Sequence, residues 1–336
     1  MKAITFTEHG LPIDDPSALQ DVTIAAPKPG PRDLLVVVEA VAVNPVDTKV
    51  RAGTFAREPK ILGWDAAGTV REVGVDVTLF KPGDKVYYAG SLTRAGSYSE
   101  LQVVDERIVG HRPQSLSAAD AAALPLTSIT AWELLFDRLG VTQDSGDGEV
   151  LLVVGAAGGV GSMLVQLARE LTGMTVIGTA SRPETVEWVK RMGADHVIDH
   201  RQPLLPQLQA LGIAEVSHVA SLTHTEEHLA QLIEVLRPQG RLGVIDDPHC
   251  LDVMPLKLKS LSLHWELMFT RSLFETPDMI NQHHLLNRIA QLIDQGILHT
   301  TVGAHFGVIN AANMRRAHAL VESGKARGKL VLEGFL

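Results

Sequence analysis

The sequence predicts an α/β protein with a β-barrel domain and a doubly wound parallel sheet, and three observations carry that expectation. Its 336 residues exceed what one core usually holds, at ~150 residues per domain. Residues 1 to about 112 read as short strands cut by Gly, Pro and Asp turns, the texture of a barrel-like domain. From 149 to about 268 strand and helix signals alternate, the signature of a parallel sheet with helices on its faces.

In the first stretch, Leu34-Leu-Val-Val-Val-Glu-Ala-Val-Ala-Val43, Gly68-Thr-Val-Arg-Glu-Val73 and Lys85-Val-Tyr-Tyr88 are strands, the last after the turn Lys81-Pro-Gly-Asp84. Near residue 115 the texture changes. Ser117-Ala-Ala-Asp120 caps an Ala-rich helix, Pro125 breaks it, and a second helix covers about 128–139. Strands are then expected at 150–154, 175–179, 196–198, 216–220 and 240–245, with helices at 159–172, 183–192, about 203–211 and 226–236. Residues 271–296 read as helical, and Gly328-Lys-Leu-Val-Leu332 returns to strand character. There is no internal repeat and no low-complexity segment.

Composition narrows the function classes. A hydrophobic fraction of 45% with 21% charged residues is that of a globular chain. The net charge of −9 argues against non-specific nucleic-acid binding. No stretch approaches ~18 consecutive apolar residues, and the start reads as a strand without a signal-peptide core. The single cysteine, Cys250, excludes an intrachain disulfide and a cysteine-rich zinc cluster, and the cytoplasm is the expected compartment.

The most informative segment is Val150-Leu-Leu-Val-Val-Gly155-Ala156-Ala-Gly158-Gly159-Val160-Gly161. A strand, a glycine turn and a helix start build an anion site, because the first helical N–H groups have no partner and the helix dipole favours negative charge. Aligned to G-x-G-x-x-G it reads Ala156-x-Gly158-x-x-Gly161, a dinucleotide site in the right context on both sides. An NAD site places Asp or Glu after the second strand; here that strand ends Gly178-Thr179-Ala180-Ser181-Arg182. Ser181 offers a hydroxyl and Arg182 a charge-matched fork to a 2′-phosphate, so the expected cofactor is NADPH. Lys190 reads as a solvated helix face.

With Asn44-Pro-Val-Asp47, Leu62-Gly-Trp-Asp65-Ala-Ala-Gly68, Lys81-Pro-Gly-Asp84-Lys-Val86 and His264-Trp-Glu-Leu-Met-Phe-Thr-Arg271, the chain resembles the medium-chain dehydrogenase/reductase superfamily. Within it, the resemblance is to the zinc-free quinone oxidoreductase branch, in the subgroup often called zinc-type alcohol dehydrogenase-like. It implies a GroES-like β-barrel domain of residues 1–124 and 270–336, and a Rossmann NADPH-binding domain of residues 125–269. The zinc enzymes carry a ligand cysteine where this chain has Asn44, and Gly-His-Glu where it has Gly63-Trp64-Asp65. No metal is therefore expected, since catalytic zinc takes three His, Cys or carboxylate ligands. His249-Cys250 reads as a polar loop.

The resemblance also implies cofactor positions: Asn44 at the nicotinamide ribose, Thr130 near the nicotinamide, and His200 beside the adenosine phosphate. His200 reads equally as an exposed histidine. Ser221, Leu222 and Thr223, with Val244, Ile245 and Asp246, end later strands at the carboxyl edge, where open α/β sheets bind ligands. Without zinc, hydride transfer favours a quinone or an α,β-unsaturated carbonyl, which delocalises charge onto an enolate oxygen. Lys49 is the candidate donor to that oxygen, with a surface lysine as the competing reading. Asp47 and Arg51 anchor its turn. Trp64, Met268 and Phe269 line the substrate side, Arg271 with them, or else residues 261–269 form the edge strand through which two copies pair as a homodimer. The activity expected is an NADPH-dependent quinone or enone reductase acting on a small molecule, with neither nucleic acid nor membrane as partner. A non-catalytic NADPH-binding sensor or structural protein stays open, and a zinc-dependent alcohol dehydrogenase is the weaker third reading.

Overall fold

The computed structural model describes residues 1–53 and 61–335. The chain divides into two compact units, residues 1–129 with 269–336 and residues 130–268.

The first unit opens with β1 (Lys2–Thr5) and β2 (Gln20–Thr23), an antiparallel pair. Strand β3 (Asp33–Val43) is followed by helix α1 (Pro45–Ala52), β4 (Ala66–Val73), β5 (Lys85–Tyr88), β6 (Leu101–Asp105) and β7 (Val109–His111). Apolar residues with few charges make β3 the central strand: Leu34, Val36, Ala40, Val41 and Ala42 are fully buried, and it pairs with both β4 and β6. Helix α2 (Ala118–Ala122) starts where the Ser117 hydroxyl accepts from the Asp120 amide at 3.1 Å, as the capping pattern requires. Pro125 does not simply end that helix. It opens α3 (Pro125–Trp132), where a missing N–H costs nothing. The expected helix 128–139 thus starts earlier, and its second half, Glu133–Arg138, is π-helical, with Leu139 N donating to Leu134 O at 2.8 Å.

The second unit carries β8 (Val150–Val154), α4 (Gly159–Leu171), β9 (Thr175–Thr179), α5 (Pro183–Arg191), β10 (His196–Ile198), α6 (Leu204–Ala210), β11 (Val216–Ser221), α7 (Thr225–Val235), β12 (Leu236–Val244) and β13 (Ser262–Trp265). All six strands are parallel in the order β10-β9-β8-β11-β12-β13. This is the 3-2-1-4-5-6 order of a doubly wound dinucleotide-binding sheet. Its core is aliphatic, with Leu152, Ile177, Val219, Leu232 and Leu242 fully buried.

The chain then returns to the first unit with α8 (Thr270–Leu273), α9 (Asn281–Asp294), β14 (Val302–His305), α10 (Ala311–Glu322) and β15 (Lys329–Glu333). The helical stretch expected at 271–296 is interrupted at Thr276-Pro277-Asp278. Strand β15 pairs antiparallel with β3, Leu330 opposite Val43, so the sheet runs β14-β15-β3-β4-β5-β7.

Candidate functional site

In the second unit, Gly155 turns the chain out of β8 with φ of +81°, a conformation open to glycine at no steric cost. Gly158 is the N-cap of α4, so the amides of Gly159, Val160 and Gly161 have no carbonyl within the helix to bond. A Cβ on Gly161 would stand 2.5 Å from Gly155 O and 2.6 Å from Ala156 Cα. Glycine there lets the helix close onto the buried Ala156. A Cβ on Gly158 would meet only Gly155 O, at 3.4 Å, which leaves the space over the helix start clear for an anion.

The neighbouring strand ends supply the rest of this edge. Thr179 is buried, its hydroxyl accepting from the Gly155 amide at 3.1 Å. Ser181 and Arg182 follow β9, half-buried, and Arg182 Nε lies 3.4 Å from Glu184 Oε1. A residue not anticipated from sequence joins them. Arg201 comes just after β10, which lies alongside β9, and its Nη2 donates to Ser181 O at 2.7 Å while the guanidinium pairs with Asp199. His200 is half-buried with its ring 6.1 Å from that of His228, and burial holds its pKa below the usual imidazole value. At the carboxyl ends of β11 and β12, Ser221 and Val244 are buried, whereas Leu222, Thr223, Ile245 and Asp246 are half-buried. The Ser221 hydroxyl bonds that of Thr225 at 2.7 Å, and Asp246 caps α7 by accepting from the Thr225 amide at 2.9 Å. The unit thus gathers Ala156 to Gly161, Thr179 to Arg182, His200, and both later strand ends on one sheet edge. Thr130 and Met268 also belong to it, both buried.

The same unit buries a carboxyl pair. Glu133, at the start of the π-helical turn, and Glu266, just after β13, hydrogen-bond each other, and Arg138 Nε donates to Glu266 Oε2 at 2.8 Å. Both side chains are fully buried or nearly so. Burial first, then the Glu133 carboxyl, push the Glu266 pKa up to about 8. Two buried carboxyls this close disfavour ionising together.

The first unit holds the other candidates. Asn44 and Asp47 begin α1, the Asn44 amide N–H donating to Asp47 Oδ2 at 2.5 Å. Asp47 Oδ1 accepts from Gly63 N at 3.1 Å, and the Tyr98 hydroxyl bonds the same carboxyl. Burial raises the Asp47 pKa to about 7, against the lowering effects of the Asn44 amide and Lys329. Arg51 is buried and pairs with Glu322 on α10, so Asp47 and Arg51 both anchor this helix. What reads in sequence as a short turn around Lys49 is therefore two turns of α-helix, with Lys49 half-buried upon it. Trp64 is buried, its indole N–H donating to Ser91 O at 3.1 Å, and its ring meets Phe269 edge-on at 6.3 Å.

The residues around Asn44 do not fit a zinc ion. The Asn44 Nδ2 donates to Asp65 Oδ2 at 2.9 Å, and its Oδ1 accepts from the ammonium of Lys329 on β15. Lys329 Nζ also reaches Asp65 Oδ2 at 3.0 Å and Val43 O at 2.8 Å. A cation is already in place, among an amide, one carboxylate and a carbonyl, with an indole at the next position. Among the described residues no three His, Cys, Asp or Glu side chains gather as a metal-holding group, and His249 and Cys250 are exposed. The glycine turn, by contrast, fits a dinucleotide phosphate, with open backbone donors and clear space above Gly158.

Two families of known proteins match the chain: the alcohol dehydrogenase GroES-like domain over residues 30–114 and the zinc-binding dehydrogenase family over residues 192–332. A zinc-type alcohol dehydrogenase-like protein of Staphylococcus aureus is 41% identical over 312 residues, covering 91% of this chain and 92% of the relative. A crystal structure from Rhizobium etli, named provisionally as a zinc-dependent alcohol dehydrogenase, is 53% identical. It superposes with a TM-score of 0.96, over 100% of this chain and 98% of that one. Escherichia coli quinone oxidoreductase, solved with NADPH, is 26% identical with a TM-score of 0.83, over 99% and 100% of the two chains.

Proposed function

We propose that this chain, which belongs to the medium-chain dehydrogenase/reductase superfamily and to its quinone oxidoreductase branch, is an NADPH-dependent reductase of quinones or α,β-unsaturated carbonyls that works without a metal. One observation carries the reading: the side chains around Asn44 already hold the Lys329 ammonium and offer no zinc ligand set. A simple ketone needs its alkoxide stabilised by a strong electrophile, whereas a conjugated acceptor spreads the same charge to an enolate oxygen.

NADPH supplies the hydride. The amides of Gly159, Val160 and Gly161 hold its pyrophosphate, and Ser181 with Arg182 and Arg201 bind the 2′-phosphate. No carboxylate directly follows β9 to repel that phosphate, and a charge-assisted bond there favours NADPH by about ten- to a hundredfold. Asn44 and Thr130 orient the nicotinamide, and Trp64, Met268 and Phe269 shape the apolar acceptor side. Lys49 holds a proton at its ammonium, donates to the developing enolate oxygen, and recovers a proton from water. Two copies pair through β13, an open sheet edge carrying exposed Trp265 and, just beyond, Leu267. The cytoplasm is the compartment proposed, and no helix among the described residues is long and apolar enough to cross a membrane.

The test is a steady-state comparison of NADPH with NADH against 1,4-benzoquinone, an enal and a simple ketone. Expected are turnover of the first two acceptors with NADPH, insensitivity to chelators, and a loss of at least about a hundredfold in kcat for Lys49→Ala. Unchanged turnover in that variant removes Lys49 from the chemistry. Tight NADPH binding with no turnover of any acceptor would make the protein a binding module instead.

A further inference from the structure

The ammonium of Lys329 sits at the meeting point of three segments of the first unit. From β15 it bonds Val43 O at the end of β3, Asn44 Oδ1 at the start of α1, and Asp65 Oδ2 just before β4. The other oxygen of Asp65 accepts from the Leu126 amide at 2.8 Å, in the first turn of α3. Lys329 and Asp65 are 3% and 0% exposed, so neither charge is compensated by water. Asp47 lies close enough for its carboxyl to respond to both, and burial raises the pKa of each carboxyl. Removing the ammonium leaves an uncompensated buried carboxylate, the costly half of a buried ion pair.

We propose that Lys329 is a positioning residue: an internal ammonium that takes the charge role of a metal beside Asn44 and holds α1 and the start of α3 in one register. The Asn44 amide has two ends and both are committed, Nδ2 to Asp65 and Oδ1 to Lys329, which fixes its orientation without a metal. Asp65 carries the same constraint to α3, four residues before Thr130. A lysine also suits the task sterically, since a long apolar stem can be buried while its charged tip reaches oxygen acceptors. The catalytic and NADPH-binding readouts of this inference rest on the reductase reading; the stability readout does not.

The experiment compares wild type with Lys329→Ala, Lys329→Met and the double variant Asp65→Asn/Lys329→Met. Each is measured for thermal midpoint, NADPH dissociation constant by fluorescence titration, and kcat. Propylammonium, which replaces the missing stem and charge of Lys329→Ala, is titrated against sodium chloride at equal ionic strength. Expected are a lowered midpoint and at least a tenfold loss of kcat in both single variants. Propylammonium, but not sodium, should restore the midpoint and a third or more of kcat in Lys329→Ala. The double variant, with no buried charge to compensate, should regain the midpoint but neither kcat nor wild-type NADPH affinity. Recovery of all three in the double variant would reduce Lys329 to charge balance and overturn the positioning role, as would wild-type behaviour of Lys329→Met. If Lys329→Ala folds only in propylammonium, the inference stands; if no amine rescues it, the cation claim fails. A wild type without turnover would sink the reductase reading and leave Lys329 to be judged on the midpoint alone.

Discussion

Glu266→Gln should flatten the alkaline side of the protein's stability profile. Burial and the Glu133 carboxyl, set against the Arg138 guanidinium, hold the folded-state pKa of Glu266 up at about 8. In the unfolded chain Glu266 ionises near 4.5. Between those values the folded state binds more protons than the unfolded state, so stability falls as pH rises and levels off above pH 8. The full window is worth about 5 kcal/mol, of which about 2 kcal/mol falls between pH 6.5 and 8. That upper window is the one to measure. His218 and His318, with pKa values lowered by burial to about 4 and about 3, change stability in the opposite sense and only below about 6.5. Asp47 contributes up to about pH 7 in both proteins and cancels in the comparison. Differential scanning calorimetry at pH 6.5 and 8.0 should show the wild-type midpoint dropping about 3 °C further than that of the variant. Glu133→Gln should flatten the profile equally, since the titration belongs to the pair. Parallel profiles in wild type and both variants would refute a coupled carboxyl pair.

Other perturbations separate the parts of the cofactor edge. Gly161→Ala forces a Cβ to within 2.6 Å of two backbone atoms and should cost about 1–3 kcal/mol along with NADPH binding, read by denaturant melts and fluorescence titration. Gly158→Ala meets nothing closer than 3.4 Å, so it should fold with near wild-type stability yet lose NADPH affinity; an unchanged dissociation constant would move the pyrophosphate elsewhere. Arg182→Ala and Arg201→Ala should each raise the NADPH dissociation constant about tenfold while leaving that for NADH alone. Trp265→Glu places a charge on the open edge of β13 and should shift the protein to monomer in light-scattering chromatography; a monomeric wild type would contradict the pairing.

Much of the fold follows from local pattern. The glycine turn, the alternation after residue 149 and the Ser117 cap each reside in a few adjacent residues, and the helix and strand bounds around them agree within a few positions. Helix α1 is harder to see because it has only eight residues, Pro45–Ala52, and four of them are charged or hydroxylated. Its stability comes from Asp47 meeting Gly63 and Arg51 meeting Glu322, contacts that no local window contains. Helix α10, unanticipated in the tail, is likewise tied down from afar, its cap at Asn310 followed by Ala311 N donating to Asp21. The site divides the same way. Ser181 and Arg182 follow their strand directly, but Arg201 reaches them only because β10 lies alongside β9. Lys329 meets Asn44 across 285 residues, so the absence of zinc ligands is legible in sequence while the ammonium that replaces the cation is not.

The discontinuity of the first unit sets an order for biosynthesis. Residues 130–268 form a contiguous unit whose six parallel strands are all available before α8 is made. The first unit must wait, because β3 lacks its antiparallel neighbour β15 until the ribosome reaches residues 329–333. Through that interval residues 40–43 of β3 keep an unpaired edge, and Asp65 has no ammonium to meet. The nascent barrel is therefore the species exposed to misfolding and to chaperones, while the nucleotide-type sheet is already complete. Pulse proteolysis of stalled nascent chains should find residues 130–268 protected first.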